Sequence, residues 1–314
     1  MQKEVPIAAA AGLAASVLHL SGEWSLLGAL IFALAAPLPL LAAGLSFGLG
    51  TAALASAVAM VTIGAVSGFA RTGLFAAGSV VPVLIVIRFG LLNRSADDES
   101  IEWYPPGLVL TWLTLYCAAA FAVLAVALGS GPQGLEAGIA SYVDGFRQMV
   151  AGARDSAAVD RMLATLKRVF PFLVVTWWVI VITVNAHVAQ KILVRTGNAK
   201  RPSPDLTTTA LPPWILPAVV AAAAVALVGS GWLGFVATNI ALILCIPYFL
   251  SGLAILHAIS ARWNGRKAIL IAVYLLLLLF GWPLIVVTGL GMMEYWVDLR
   301  QRFAAPGQSN ERNE

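Results

Sequence analysis

The chain contains long stretches without a single charged side chain. Between Asp205 and Arg262 there are 56 consecutive residues that lack Asp, Glu, Lys and Arg, and Glu23 and Arg71 enclose another 47. A water-soluble fold needs charges on its surface helices, whereas a helix that crosses the hydrocarbon core needs about 20 apolar residues and tolerates almost no charge. Each stretch is therefore long enough for two membrane crossings.

The composition supports the same conclusion. Hydrophobic residues make up 60% of the chain and charged residues 11%, with a mean hydropathy of +0.90. Ordinary soluble domains are roughly 45–50% apolar and about 25% charged. We therefore predict an all-α, polytopic transmembrane helix bundle in a lipid bilayer. The formal net charge of +4 is expected to anchor loops at the membrane surface, so nucleic acid is not an expected partner.

The apolar runs predict nine membrane helices: 5–22, 25–48, 50–70, 73–92, 107–128, 170–194, 213–230, 234–260 and 268–292. They group into early glycine- and alanine-rich membrane helices (1–131), an amphipathic interfacial insertion (132–169), later membrane helices (170–303) and a disordered tail (304–314). The second helix contains Pro37 and Pro39. Because proline removes a backbone hydrogen bond, we expect a kink or a break there.

The insertion carries apolar residues at helical spacing beside charged ones. This pattern predicts two amphipathic helices that are separated near Gly152. They would lie along the membrane surface, or they would form a small helical hairpin packed over the bundle. The sequence favours neither arrangement.

Small residues are frequent in the early helices, where Gly44 and Gly48 are four residues apart, as are Gly64 and Gly68. This spacing lets helix backbones approach closely, so tight helix packing is one interpretation. The other is that the glycines, together with a break at Pro37 and Pro39, open space for a ligand.

Two helices carry polar side chains within apolar runs. Asn185, His187 and Gln190 lie near the end of the sixth predicted helix, and Asn239 lies within the eighth. Such groups are costly in hydrocarbon unless they have partners, so they should face the bundle or the interface. For the sixth helix, a polar helix margin and a ligand or proton pathway both remain open. Compared with Arg88, whose long side chain can reach the membrane surface, Asn239 is the stronger functional candidate.

Several chemistries lack their sequence signals. The chain has no phosphate-binding loop, no HExxH zinc motif and no GxSxG nucleophile elbow. It also lacks a carboxylate pair within the apolar runs, and its three histidines are far apart, without a carboxylate at metal-ligand spacing. We expect no enzymatic activity, no catalytic residue, no metal site and no cofactor.

A set of short motifs resembles a known family. The motifs are Phe170-Pro171, Asn185 ahead of Arg195-x-Gly197, Asn239 with Tyr248-Phe-Leu-Ser-Gly252, and the ending with Glu294, Asp298 and Arg300. In these features residues 7–303 resemble the YybS-like family of uncharacterised bacterial integral membrane proteins. That family is distantly similar to the S components of energy-coupling-factor vitamin transporters, although this chain has more helices and an added insertion. The resemblance implies a bacterial inner-membrane protein with a small-molecule pocket.

Two functional hypotheses follow. The first is a transport-type protein that binds or moves a small solute or lipid, in a cavity between the early helices and the sixth and eighth. Asn185, His187 and Asn239 would orient this ligand, and Pro37 and Pro39 would shape the pocket. The second is a membrane scaffold or assembly factor that binds a membrane protein partner through the insertion and the basic loop Lys191 to Arg201.

Overall fold

A computed structural model describes residues 4–24, 31–95, 101–131, 133–150, 157–204, 211–260 and 264–297 of the chain. These residues are helical almost throughout, which confirms the predicted all-α polytopic class. The predicted C-terminal tail and the predicted break near Gly152 lie outside the described residues. The chain forms two compact units, Met1–Tyr116 with Val175–Pro204 (unit 1), and Cys117–Val174 with Asp205–Glu314 (unit 2).

Unit 1 consists mainly of helices from the first third of the chain. These are α1 (Glu4–Trp24), α2 (Ala33–Ala35), α3 (Pro37–Phe47), α4 (Leu49–Phe75), the π-helical turn Ala76–Val80, and α5 (Val81–Gly90). A short antiparallel hairpin follows, with strands β1 (Asn93–Ser95) and β2 (Ile101–Trp103). Helices α6 (Pro106–Leu128) and α8 (Ala157–Arg195) each contribute residues to both units.

The centre of unit 1 is a seam of small residues between α1 and α4. Ala8 and Ala15 of α1, and Ala52, Ala55 and Ala59 of α4, are fully buried in one apolar cluster. A Cβ atom at Gly12 would overlap the carbonyl oxygen of Ala55. Small side chains thus allow the two backbones to touch, as the sequence predicted for the early helices.

The predicted glycine pairs divide between two roles. A Cβ at Gly44 would overlap the Ile87 side chain, so this glycine serves close packing. Gly48 and Gly68 instead have φ angles of 111° and 80°, a region that only glycine adopts without strain. Gly48 connects α3 to α4, and Gly68 changes the direction of the chain within α4. This kink divides the run Leu49–Gly90 into two helical parts, which correspond to the predicted helices 50–70 and 73–92 with the boundary moved to Gly68.

The break expected in the second predicted helix lies directly before Pro37. Helix α2 ends at Ala35, α3 begins at Pro37, and the Ala36 N–H donates to the Ala33 carbonyl oxygen at 3.3 Å. Ala36 keeps helical φ and ψ angles of −55° and −33°. The interruption therefore affects the hydrogen-bond pattern more than the backbone direction.

Unit 2 contains the remaining helices, which continue to the end of the described chain. They are α7 (Leu135–Val150), the first part of α8, α9 (Ile215–Val228), α10 (Gly231–Leu244), α11 (Ile246–Ser260), α12 (Arg266–Leu279) and α13 (Trp282–Val297). Helices α9 and α10 pack against each other, as do α11 and α13.

The second half of the insertion differs from the prediction. It was expected to form its own amphipathic helix, but it is the first part of α8, which runs for 39 residues and passes through Pro171. Lys167 of α8 forms an ion pair with Asp144 of α7 at 2.7 Å, and the Tyr142 and Phe170 rings lie 5.5 Å apart. A hairpin packed over the bundle stays a prediction, although helix α7 contacts α8 at these two places. Its location at the membrane surface stays a prediction.

The apolar helices are less regular than the nine separate membrane-spanning rods that the sequence predicted. The described residues contain five helices that are long and apolar enough to cross a membrane, or six if α12 and α13 form one span. The predicted helix 268–292 is wrong as a single rod, because α12 and α13 meet at a bend of 118°. Two further apolar helices, Ala33–Phe47 and Ile215–Val228, are shorter than a full crossing. Nine crossings therefore remain a prediction.

Glycine also determines the contact between α11 and α13. A Cβ atom at Gly252 would overlap the carbonyl oxygen of Val287, and one at Gly291 would overlap that of Tyr248. Because both obstacles are backbone atoms, they cannot rotate away as a side chain would. Gly289, on the same helix as Gly291, has open space around it.

We predict that Gly291→Ala destabilises unit 2 while Gly289→Ala does not. The new methyl group at position 291 has to push α11 and α13 apart, at a cost of about 1–3 kcal/mol. Thermal unfolding of the purified protein in detergent should show a lower Tm for the first variant alone. Equal Tm values for the two variants would contradict this packing.

Candidate functional site

Asn239 is a fully buried amide that joins α10 to α8. Its Nδ2 atom donates to the carbonyl oxygens of Arg168 at 2.9 Å and Phe235 at 3.0 Å. Its Oδ1 atom accepts from the backbone N–H of Phe172 at 3.0 Å. Both N–H bonds of the amide are therefore used, and the side chain bridges two backbone groups of the neighbouring helix.

The bridge lies where α8 contains a proline. In an α-helix the N–H of residue i donates to the carbonyl of residue i−4, so Arg168 and Phe172 would pair with each other. Pro171 has no N–H, and its ring crowds the carbonyl of the preceding turn. The Asn239 amide supplies a donor and an acceptor at this turn. It thereby satisfies backbone groups that would be costly to leave unpaired in an apolar environment.

A cavity opens next to the bridge, within unit 2. It has a volume of about 560 Å³ and lies among α7, α8 and the turn between α9 and α10. Its walls include Glu136, Lys167, Arg168, Ser230 and Phe235. This volume is within the range of about 300–1,000 Å³ that is typical of small-molecule sites. Arg168 and Phe235 line the cavity, and Asn239 binds the backbone carbonyls of these same two residues.

Only one of the charged side chains that line the cavity already forms an ion pair with another described residue. Lys167 is neutralised by Asp144. The Arg168 guanidinium and the Glu136 carboxylate are both exposed, and among the described residues neither forms an ion pair or a side-chain hydrogen bond. The cavity therefore presents one available cation and one available anion.

The start of α10 also lines the cavity. Ser230 is the N-cap residue, but its side chain makes no capping hydrogen bond. The first N–H groups of a helix have no partner within the helix, and they carry a partial positive charge. The α10 turn thus adds hydrogen-bond donors on the side of the cavity that Gly229 to Gly234 form.

The position of Lys167 and Arg168 along α8 indicates the depth of the cavity. Residues 169–190, which follow directly, form a stretch of 22 residues without Asp, Glu, Lys or Arg. That is about the length needed to cross the hydrocarbon core. Basic residues at the end of such a stretch lie at the level of the lipid headgroups. The cavity is therefore at one edge of the apolar layer.

The other predicted amide, Asn185, has a comparable structural role in unit 1. Its Nδ2 atom donates to the carbonyl oxygens of Val181 in α8 at 2.8 Å and of Leu34 in α2 at 3.0 Å. Leu34 lies just before the interruption at Pro37. Asn185 therefore ties α8 to the broken helix, and Pro37 and Pro39 form the start of the segment after the break.

His187 and Gln190 follow Asn185 on α8. His187 is half-buried, and no hydrogen-bond partner is found for its ring among the described residues. Gln190 is buried and donates to the carbonyl oxygen of Arg201. The two side chains therefore differ, because only the Gln190 amide has a defined hydrogen-bond partner.

The basic loop after α8 is held against unit 1. The Lys200 ammonium donates to the Phe47 carbonyl oxygen at 2.8 Å, and the Arg201 guanidinium donates to that of Gly90 at 2.9 Å. Arg201 also lies over the Trp103 ring, 5.6 Å from its centre. Burial lowers the pKa of Arg201 from its ordinary value, but an arginine stays charged at neutral pH.

None of the five predicted ligand-binding residues, Asn185, His187, Asn239, Pro37 and Pro39, lines the unit 2 cavity. Their role in ligand binding stays a prediction. Within the described ranges, no group of three or more His, Cys, Asp or Glu side chains could hold a metal ion. No sequence motif indicated Glu136, Arg168 or the 229–231 turn as site residues. The signal that could have found Arg168 is the pair Lys167-Arg168 directly before an apolar run that contains a proline.

The fold and the cavity define a polytopic helical membrane protein with a partly open cavity at the edge of its apolar layer. The profile of one family, described as "Predicted membrane protein (DUF2232)", matches residues 13–294. The chain therefore belongs to this family. No curated protein and no solved structure matches it.

We predict that Asn239→Leu lowers stability more than Thr238→Val does. The leucine leaves the Arg168 carbonyl and the Phe172 N–H without their amide partner, which costs about 1–3 kcal/mol. Thr238 is a matched control, because its hydroxyl bonds only to Gly234 of its own helix. Thermal unfolding in detergent measures both. Similar, small Tm changes would show that the bridge contributes little.

Proposed function

We propose that the protein is a transport-type membrane protein that binds a small amphipathic solute or lipid in the unit 2 cavity. The observation that carries this proposal is the cavity itself, with apolar and charged walls at the edge of a neutral stretch of α8. An amphipathic ligand would place its polar end near Arg168 and Glu136 and its apolar end beside Phe235.

The packing around the cavity supports a preformed site. Ile139 and Val143 of α7 are buried, so this helix has a definite inner face, and the Lys167–Asp144 ion pair joins it to α8. On the other side, the Asn239 bridge fixes the backbone that carries Arg168. A site held from two sides loses little conformational entropy when a ligand binds.

We also propose a family group and a cellular location for the protein. The motif around Phe170-Pro171 and Asn239 supports membership of the YybS-like group and a distant relation to S components. The same resemblance supports a location in the inner membrane of a bacterium. Binding rather than catalysis is proposed because the sequence carries no nucleophile or phosphate-loop motif.

A membrane scaffold is the second candidate. The exposed side chains of Lys191 and Arg195 favour it, since they are available to a partner. Lys200 and Arg201 count against it, because both bind backbone carbonyls of unit 1. Asn239→Leu does not separate the two candidates, because this residue holds helices together. A substitution within the cavity is needed instead.

We predict that Ala164→Trp removes a co-purifying ligand and that Thr165→Trp does not. Ala164 lines the cavity, so an indole at this position would occupy it, whereas Thr165 is the exposed neighbour outside it. Native mass spectrometry of the purified full-length chain should show a bound small molecule in the unsubstituted protein and in Thr165→Trp only.

Other outcomes favour other conclusions. If the unsubstituted protein carries no small molecule, or if both variants retain it equally, the cavity is not the binding site. If a partner subunit co-purifies and is unaffected by Ala164→Trp, the scaffold function is the better account.

A further inference from the structure

The cavity of unit 2 contains two opposite charges that do not neutralise each other. Glu136 lies in the first turn of α7 and Arg168 lies on α8, and both line the same space. Within the part of the chain that the structure describes, no ion pair joins them and neither has another ionic partner. The two charges are therefore both available to one ligand.

The neighbouring charged side chains are already paired with each other. Lys167 lies next to Arg168, but it contacts Asp144 through both carboxylate oxygens, at 2.7 and 2.8 Å. The negative charge of Asp144 is thus already occupied. This leaves Arg168 as the side chain for an anion and Glu136 as the side chain for a cation.

Each of the two groups recognises a particular chemistry. Arginine presents a planar set of N–H donors that fits the oxygens of a phosphate or carboxylate. The first N–H groups of α10 and the Ser230 hydroxyl add donors to the cavity wall. Glu136 has only acceptors when ionised, so it suits an ammonium group with its N–H donors.

We propose that the cavity binds a zwitterionic phosphate–ammonium headgroup, with the phosphate on Arg168 and a primary ammonium on Glu136. This inference rests on the proposed function and names its ligand class. The same chemistry occurs in a phosphatidylethanolamine lipid and in free phosphoethanolamine. Because Lys167 and Arg168 directly precede the apolar stretch 169–190, the lipid form has its headgroup at the right depth.

The test compares ligands that differ in one charge or one set of donors. The full-length protein in detergent is titrated with phosphatidylethanolamine, phosphatidylglycerol and phosphatidylcholine of equal chain length, and separately with free phosphoethanolamine. Phosphatidylglycerol has no ammonium, and phosphatidylcholine has an ammonium without N–H donors. Native mass spectrometry measures the bound fraction of each.

We expect phosphatidylethanolamine to bind more tightly than the other two lipids by about three- to fivefold, the size expected for one partly exposed ion pair. Glu136→Gln should remove this preference, and Glu136→Lys should reverse it towards phosphatidylglycerol. Arg168→Gln should weaken all three lipids. Arg161→Gln is the control, since Arg161 is an exposed cation of the same helix outside the cavity.

Each remaining outcome has a defined meaning. Free phosphoethanolamine that binds as tightly as the lipid would support the charge chemistry and assign it to a soluble ligand. Equal binding of all three lipids, unaffected by Glu136→Gln but lost in Ala164→Trp, would overturn the zwitterion inference and leave the proposed function standing. If no probe is displaced by Ala164→Trp, the proposed function fails as well.

Discussion

The structure depends on one requirement of the hydrocarbon environment, which is that backbone N–H and carbonyl groups must find partners within the protein. Pro171 and Pro37 each remove one backbone N–H donor from a helix. At each position an asparagine side chain from another helix binds a nearby backbone group, Asn239 at Arg168 and Phe172, and Asn185 at Leu34. The buried amide of Asn239 and the partly buried amide of Asn185 thus bind backbone groups of helices that contain or adjoin a proline.

This requirement links the fold to the proposed site in unit 2. The Asn239 bridge holds α10 against α8 at the turn where charged residues give way to the neutral stretch 169–190. The same turn places Arg168 at the cavity, and the ion pair of its neighbour Lys167 with Asp144 joins α8 to α7. The position of the cavity at the edge of the apolar layer is thus linked to how a proline-containing helix is stabilised.

The sequence predicted those features that depend on local composition. Long neutral runs were enough for the helical membrane class, and Pro37 was enough for the break between α2 and α3. The continuity of α8 was missed, because an amphipathic segment and an apolar segment can belong to one helix. The partners of Asn185 and Asn239 could not be predicted, since each bridges residues more than 60 positions apart, at separations of 151 and 71. The cavity could not be predicted for the same reason, because Glu136 and its other lining residues are far apart in the sequence.

Hydrogen–deuterium exchange of α8 tests the Asn239 bridge most directly. In the unsubstituted protein the Phe172 amide should exchange slowly, because it donates to Asn239. In Asn239→Leu, peptides that cover residues 169–175 should exchange faster, while peptides that cover residues 186–192 should not change. Unchanged exchange near Phe172, or an equal increase along the whole of α8, would contradict the account.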